Sequence, residues 1–250
     1  MCGRVVQHRE LSTYARELGI NLSGQVPNAA PHYNGAPSQD LLVLRRDPKS
    51  GEGRLGLLRW GLIPHWAKDK KIAWKLINAR CETVAKTPAF KDAYRQRRCL
   101  LPVDGFYEWK KIADVKQPFL IAMRSGEPFT LAALWENWKD LATGEWVRTF
   151  TIVTTDANEL VAQLHDRMPV IIAPADRPRW MNPDEAPEDL LRPYPAHLMK
   201  MWPVSTRVNS PKNEDRELIE PIVLNDAAEQ ERGSGVPRAN EAGAEPADSE

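Results

Sequence analysis

The feature that most constrains this chain is how short its apolar runs are. Ten segments of three to eight residues are rich in apolar and β-branched side chains: 3–7, 41–45, 55–62, 99–102, 105–110, 119–123, 129–135, 149–154, 170–172 and 201–208. Gly, Pro, Asn and Asp punctuate the chain between them. Runs of this length and composition read as strands, because a strand buries a face in four to eight residues whereas a helix needs ten or more. Helical periodicity is confined to a few places. It covers Leu11–Leu18 with Gly19 as its stop, 87–97 with Pro88 in the first turn, a stretch beginning near Asn158, and short pieces at 178–181 and 185–191. Residues 23–38 and the basic segment 69–75 read as loops. The expected fold is α+β: a single domain with a β-barrel-like core of short strands and peripheral helices.

Composition sets the limits of that domain. A hydrophobic content of 42% is enough to bury a core. Residues 226–250 are Ala, Glu, Gly, Pro and Ser with almost no apolar anchor, and such a segment cannot offset the entropy of ordering. The division expected is a catalytic and binding domain over 1–225 and a disordered acidic tail over 226–250. The zero formal charge hides an asymmetry: the tail holds seven acidic and two basic residues, which leaves 32 basic against 27 acidic in the rest. A positive excess of that size is compatible with a nucleic-acid partner. No apolar run approaches the ~18 residues of a membrane helix, and the first ten residues lack the apolar core of a secretory signal. Three cysteines without metal-ligand spacing suit free thiols in a reducing compartment. The expectation is therefore a cytoplasmic monomer that needs no metal or cofactor.

Chemistry enters at the N-terminus, Met1-Cys2-Gly3-Arg4. An initiator methionine is generally removed when the second residue is small, which leaves Cys2 with a free α-amine beside its thiol. The two groups have ordinary pKa values of about 8 and 8.5, so both are partly deprotonated near neutrality. The amine adds to an aldehyde to give an imine, and the thiol, two carbons away, closes on it as a five-membered thiazolidine. The second attack is intramolecular and hence favoured.

Four further segments carry groups suited to such a reaction. In Leu76-Ile77-Asn78-Ala79-Arg80-Cys81-Glu82-Thr83, the Asn78 amide can hold a sugar hydroxyl or an amine, and Arg80 shares its side if the segment is extended. In Gly105-Phe106-Tyr107-Glu108-Trp109-Lys110, Glu108 sits among aromatics, where desolvation raises a carboxyl pKa toward the range useful for proton transfer. In Leu164-His165-Asp166-Arg167-Met168-Pro169, His165 titrates near neutrality, while Asp166 and Arg167 can set its tautomer or bind phosphate. In Pro64-His65-Trp66-Ala67-Lys68-Asp69-Lys70-Lys71, Trp66 next to three lysines matches the aromatic-plus-cation pattern of single-strand binding. Each segment alone fits an ordinary turn, strand or packed loop equally well.

Taken in order, these segments resemble the SOS response-associated peptidase family, whose members crosslink to abasic sites. The resemblance also runs through His32-Tyr33-Asn34-Gly35-Ala36-Pro37, Arg59-Trp60-Gly61-Leu62-Ile63-Pro64, Pro203-Val204-Ser205 and Val208-Asn209. It implies a compact mixed fold with a positive groove for single-stranded DNA, and a covalent thiazolidine between Cys2 and an abasic site that shields the lesion. It implies Cys2 as nucleophile with Asn78, Glu108 and His165 as partners. Arg4, Asn34, Trp66, Arg80 and Arg167 are the residues it places at or near the DNA. The peptidase of the family name is expected to be removal of Met1 or reversal of the crosslink, and bound protein is expected at the nucleoid. No role follows for Trp74 or for the acidic tail. Two alternatives stay open: an N-terminal-cysteine amidotransferase, which also opens Met-Cys-Gly, and a non-covalent reader of single-stranded or modified DNA.

Overall fold

The computed structural model describes residues 2–22, 27–47 and 50–224, which fold into thirteen strands and three short α-helices. The strands are β1 (Val5–Gln7), β2 (His32–Gly35), β3 (Asp40–Arg46), β4 (Gly53–Trp60), β5 (Asn78–Arg80), β6 (Arg98–Val103), β7 (Gly105–Ile112), β8 (Val115–Met123), β9 (Phe129–Lys139), β10 (Trp146–Asp156), β11 (Arg167–Pro169), β12 (Ile171–Ile172) and β13 (Met199–Pro203). The helices are α1 (Leu11–Leu18), α2 (Lys91–Gln96) and α3 (Arg177–Met181).

Five strands close on themselves in the order β4-β3-β6-β9-β10, and β10 returns to β4. Every pairing in this ring is antiparallel except β4 with β10, where Thr149 lies beside Arg59 and Phe150 beside Trp60. Closure removes the free edges a five-stranded sheet would otherwise expose. The fold is thus the single mixed domain with a barrel core that the short runs predict.

The period-2 alternation of strands explains the two cores. On β6, Cys99, Leu101 and Val103 join one cluster and Leu100 the other; on β9, Leu131, Ala133 and Trp135 part from Ala132 and Leu134 in the same way. The first cluster is shared with the second sheet, ordered β13-β8-β7-β1-β2, through Val5, Phe106, Ile121 and Met199. Ala93 of α2 and Trp180 of α3 cover the second cluster.

Most elements lie where the sequence puts them, and Gly19 ends α1 in the left-handed conformation with φ 66°. Four differ. Residues 32–35, expected inside a loop, form β2, an edge strand that pairs with β1. The helix expected over 87–97 is reduced to Lys91–Gln96, and the segment 69–75 winds into a 3₁₀ turn, Lys70–Lys75. The stretch after Asn158 holds only the 3₁₀ turn Val161–Gln163. Its cause is geometric: β11 must pair back onto β10, with Asp156 opposite Arg167, so the connection has no room for a longer helix. The last strand is Met199–Pro203, after which the chain turns into a 3₁₀ turn at Thr206–Asn209. The tail expected over 226–250 lies outside the described residues. Among the described residues no helix is long and apolar enough to cross a membrane.

Candidate functional site

Cys2 leads directly into β1, and strand pairing determines its neighbours. The antiparallel register sets Val5 opposite Phe106, and the Tyr107 N–H donates to the Arg4 carbonyl at 3.0 Å, so β7 carries Glu108 alongside the first residues. From the barrel side, β5 pairs parallel to β10 with Asn78 beside Ile152. Asn78 Nδ2 then donates to the Cys2 carbonyl at 2.8 Å across 76 residues of sequence. Asn78 Oδ1 is buried and accepts no hydrogen bond among the described residues.

The electrostatics of this corner are unusual. Cys2 is wholly buried, and burial together with the nearby Glu108 carboxylate pushes its thiol far up, away from the thiolate. Glu108 is 2% exposed. Burial raises its carboxyl to about 7, with Asp166 adding in the same direction. His165 is displaced downward, first by burial and also by the Arg167 charge, against the opposing pull of Asp166. Its Nδ1 lies 2.9 Å from the Arg167 amide N–H and 2.6 Å from Asp166 Oδ1. One nitrogen cannot accept from the amide and donate to the carboxylate at once. The neutral ring protonated on Nε2 takes the first bond, and protonation on Nδ1 exchanges it for the second.

Glu108 and His165 open onto one cleft of about 560 Å³. Its walls add residues that sequence reasoning missed. Trp109 Nε1 donates to Asn209 Oδ1 at 2.6 Å, and Asn209 Nδ2 reaches the Lys116 carbonyl at 3.2 Å. Lys111 and Lys116 face each other across the β7–β8 hairpin, whose tight turn places Ala113 at φ 50°. The charged stretch between the apolar runs 105–110 and 119–123 hides that hairpin, with only Ala113-Asp114 between Ile112 and Val115 to mark the turn.

The residues expected at DNA separate into two groups. Arg80 is exposed at the end of β5, and because β5 is extended it shares a side with Asn78 while Ala79 between them is buried. Trp66 is 51% exposed on the loop after Pro64. Three others are turned inward. Asn34 is fully buried, its amide donating to the Ser210 and Asn213 carbonyls, both at 3.0 Å, while its backbone N–H bonds Glu214 Oε1 at 2.8 Å. Arg4 Nη1 donates to Asn34 Oδ1 at 2.6 Å and to the Val208 carbonyl at 2.7 Å, and the guanidinium lies 6.0 Å from the Trp109 ring centre. Together they clamp the segment that presents Asn209 to the cleft. Arg167 is buried and forks onto Glu82 while also bonding Asp156 Oδ1 and the Thr154 carbonyl. That fork holds the Glu82 carboxyl down at about 2. Arg167 thus ties β11 to the strand ends beside His165 through both Nη groups, while its buried Nε has no hydrogen-bond partner among the described residues.

Comparison with known proteins adds independent information. The family model of the SOS response associated peptidase (SRAP) matches residues 1–211. The chain is 43% identical over 225 residues to the abasic site processing protein YoqW of Bacillus subtilis, covering 88% of this chain and 99% of that protein. It is 33% identical over 230 residues to the abasic site processing protein YedK of Escherichia coli, covering 89% and 100%. Among solved structures, a protein from Bacteroides thetaiotaomicron superposes with a TM-score of 0.76 at 23% identity, over 89% of this chain and 100% of that one. That likeness speaks to the fold alone.

Proposed function

This chain belongs to the SOS response associated peptidase (SRAP) family, and from that premise we propose that it processes abasic sites in single-stranded DNA by a covalent crosslink through Cys2. The observation that carries the reading is the buried Glu108 carboxyl, held at about 7 next to a buried thiol that is kept neutral. A thiolate-led attack, as in cysteine proteases and amidotransferases, calls for a depressed thiol pKa. Here the environment pushes the other way, so the amine acts first.

Hydrolysis of the Met1–Cys2 peptide bond consumes one water and frees the α-amine. The amine nitrogen attacks the C1′ aldehyde of the ring-opened deoxyribose. The resulting carbinolamine loses its hydroxyl as water, with Glu108 supplying the proton and taking one back from the nitrogen as the neutral imine forms. The Cys2 sulfur then bonds to the imine carbon while its proton passes to the nitrogen, closing the thiazolidine. Aldehyde, amine and thiol combine with net release of one water. Asn78 holds the Cys2 carbonyl, and its buried, unpartnered Oδ1 supports a role as acceptor for the amine. His165, at the same cleft, carries a proton during sugar-ring opening. Mixing the Met1-free chain with an abasic single strand and separating under denaturing conditions tests the reading. A heat-stable adduct is expected, and its absence overturns the proposal.

The pKa of Glu108 sets a sign. An ordinary glutamate is ionised throughout pH 5–8, whereas Glu108 is mostly protonated at pH 6 and mostly ionised at pH 8. The contribution of Glu108 as an acid should therefore fall as pH rises through about 7, against the gain from freeing an α-amine of ordinary pKa about 8. Adduct formation by the native chain should be bell-shaped, with Glu108 setting its alkaline limb. Glu108→Gln should slow it by ~10²–10⁴ and flatten this limb, with affinity for undamaged single strands within a few fold. An unchanged rate and pH profile would make Glu108 structural.

Binding before chemistry rests on phosphate contacts, for which the exposed Arg80 is the best-placed arginine beside Asn78. Arg80→Ala should weaken binding of all single-stranded sequences alike and reduce the slope of log K against log salt by about 0.7, the release expected for one phosphate contact. An unaltered slope in salt titrations would remove Arg80 from the groove.

A further inference from the structure

A second cavity, of about 280 Å³, shares no lining residue with the Glu108 cleft. Trp60, Ile63, Trp138 and Ile77 line it, and Ile77 is the residue immediately before Asn78. The indole N–H of Trp60 is spent on the Ile77 carbonyl at 2.9 Å and that of Trp138 on the Ala67 carbonyl at 2.7 Å. Both rings are almost wholly buried and form part of the apolar lining, with no polar hydrogen left for a ligand. The 3₁₀ turn Lys70–Lys75 brings Trp74 to the cavity wall, where it is 65% exposed.

That turn is held firmly. Asp69 caps it by accepting from the Lys71 N–H at 2.8 Å, and the Leu62 N–H donates to the Leu76 carbonyl at 3.1 Å. Gly61, at φ 115°, lets it approach so closely that a Cβ there would stand 2.9 Å from the Ala73 carbonyl oxygen. A well-fixed turn that leaves a tryptophan two-thirds in water gains little from packing that ring. The cavity also carries three cations, Arg59, Lys70 and Lys71, against a single carboxylate, Asp140.

Aromatic surface, an exposed indole and an excess of cations match one class of ligand: a nucleotide, with its base on the rings and its phosphate on the rim. We infer that this cavity takes the base of a nucleotide flanking the abasic residue, stacked on Trp74, with its phosphates on Arg59, Lys70 and Lys71. The inference rests on the abasic-DNA reading above and names the feature of the strand that the second site reads. Stacking uses the face every base has, so the site selects for a base next to the lesion without selecting its identity. By holding that base one residue from Asn78, it positions the neighbouring sugar for Cys2.

A binding probe without an aldehyde separates this inference from the crosslink. Single strands with a tetrahydrofuran abasic analogue and one 2-aminopurine, moved position by position around it, are titrated with the full native chain, Trp74→Ala and Trp74→Phe. The native chain should quench 2-aminopurine at a flanking position. Trp74→Ala should lose that quenching and bind about tenfold more weakly, the scale of one lost stacking contact, and Trp74→Phe should restore most of both. Equal quenching and affinity in the native chain and Trp74→Ala overturn the inference even if aldehyde-bearing strands still crosslink. Failure of the native chain to quench at any position overturns it likewise. Trp74-dependent quenching without any adduct on aldehyde-bearing strands upholds the cavity's role and removes the covalent mechanism.

Discussion

Cys2→Ala should form no adduct with abasic single-stranded DNA that survives heating in denaturant, where the native chain forms one. In the proposed reaction both heteroatoms of Cys2 enter the ring, and the alanine variant keeps only the amine. It still has a small second residue, so Met1 is removed and the α-amine is present. An imine can form, but without an adjacent sulfur it reverts on dilution into denaturant. Intramolecular closure carries effective molarities of about 10⁵–10⁸ M in favourable geometries, so losing the thiol removes essentially all of the trapped product. Two added measurements define the outcome. Borohydride should convert the alanine variant's imine into a stable amine, proving that binding and the first step persist. Cys2→Ser should give at most a weaker, hydrolysable product, because a hydroxyl adds to an imine less favourably than a thiol. Cys2 is wholly buried, so circular dichroism must confirm that each variant folds. Undiminished heat-stable crosslinking by Cys2→Ala would end the assignment of Cys2.

An equally large loss is expected when Met1 cannot be removed. A tag fused ahead of Met1 leaves the Cys2 nitrogen in an amide, whose lone pair is delocalised into the carbonyl and does not condense with an aldehyde. The thiol remains, yet it is buried and held neutral, and alone it gives only a reversible hemithioacetal. The tagged chain should therefore yield no heat-stable adduct. Proteolytic release of the tag to expose Cys2 should restore full yield, and mass spectrometry of the untagged chain should find Met1 absent. A tagged chain that crosslinks at the native rate would contradict an amine-first mechanism outright.

Local signals in the sequence made much of this legible. The alternation and short length of the apolar runs predict strands at 41–45, 99–102, 119–123 and 129–135, and each of these falls within an observed strand. Punctuation by Gly19 predicts where α1 ends. The pairing of an amine and a thiol in one N-terminal residue names a chemistry, and the residue types of Asn78, Glu108 and His165 suit it. All of these are properties of a residue and its close neighbours, so a linear reading reaches them.

What tertiary structure decided is everything that depends on which strand lies beside which. Barrel closure runs through the parallel pairing of β4 with β10, and no local pattern specifies a parallel partner. That pairing sets β5 on β10, and so brings Asn78 to the Cys2 carbonyl. The burial that raises Glu108 to about 7 likewise comes from strands distant in sequence. The same reason explains why Asn34 and Arg167 face inward. A polar or charged side chain announces only that it needs partners, and the carbonyls of 210 and 213, or the carboxylates of Glu82 and Asp156, arrive from elsewhere in the chain. Trp74 is the converse: the sequence names an aromatic among lysines, and the close approach at Gly61 holds the turn that brings it to the wall of a cavity also lined by Ile77. Residue chemistry is inherited from the sequence, whereas distance and desolvation, which turn that chemistry into a site, exist only once non-local strands have paired.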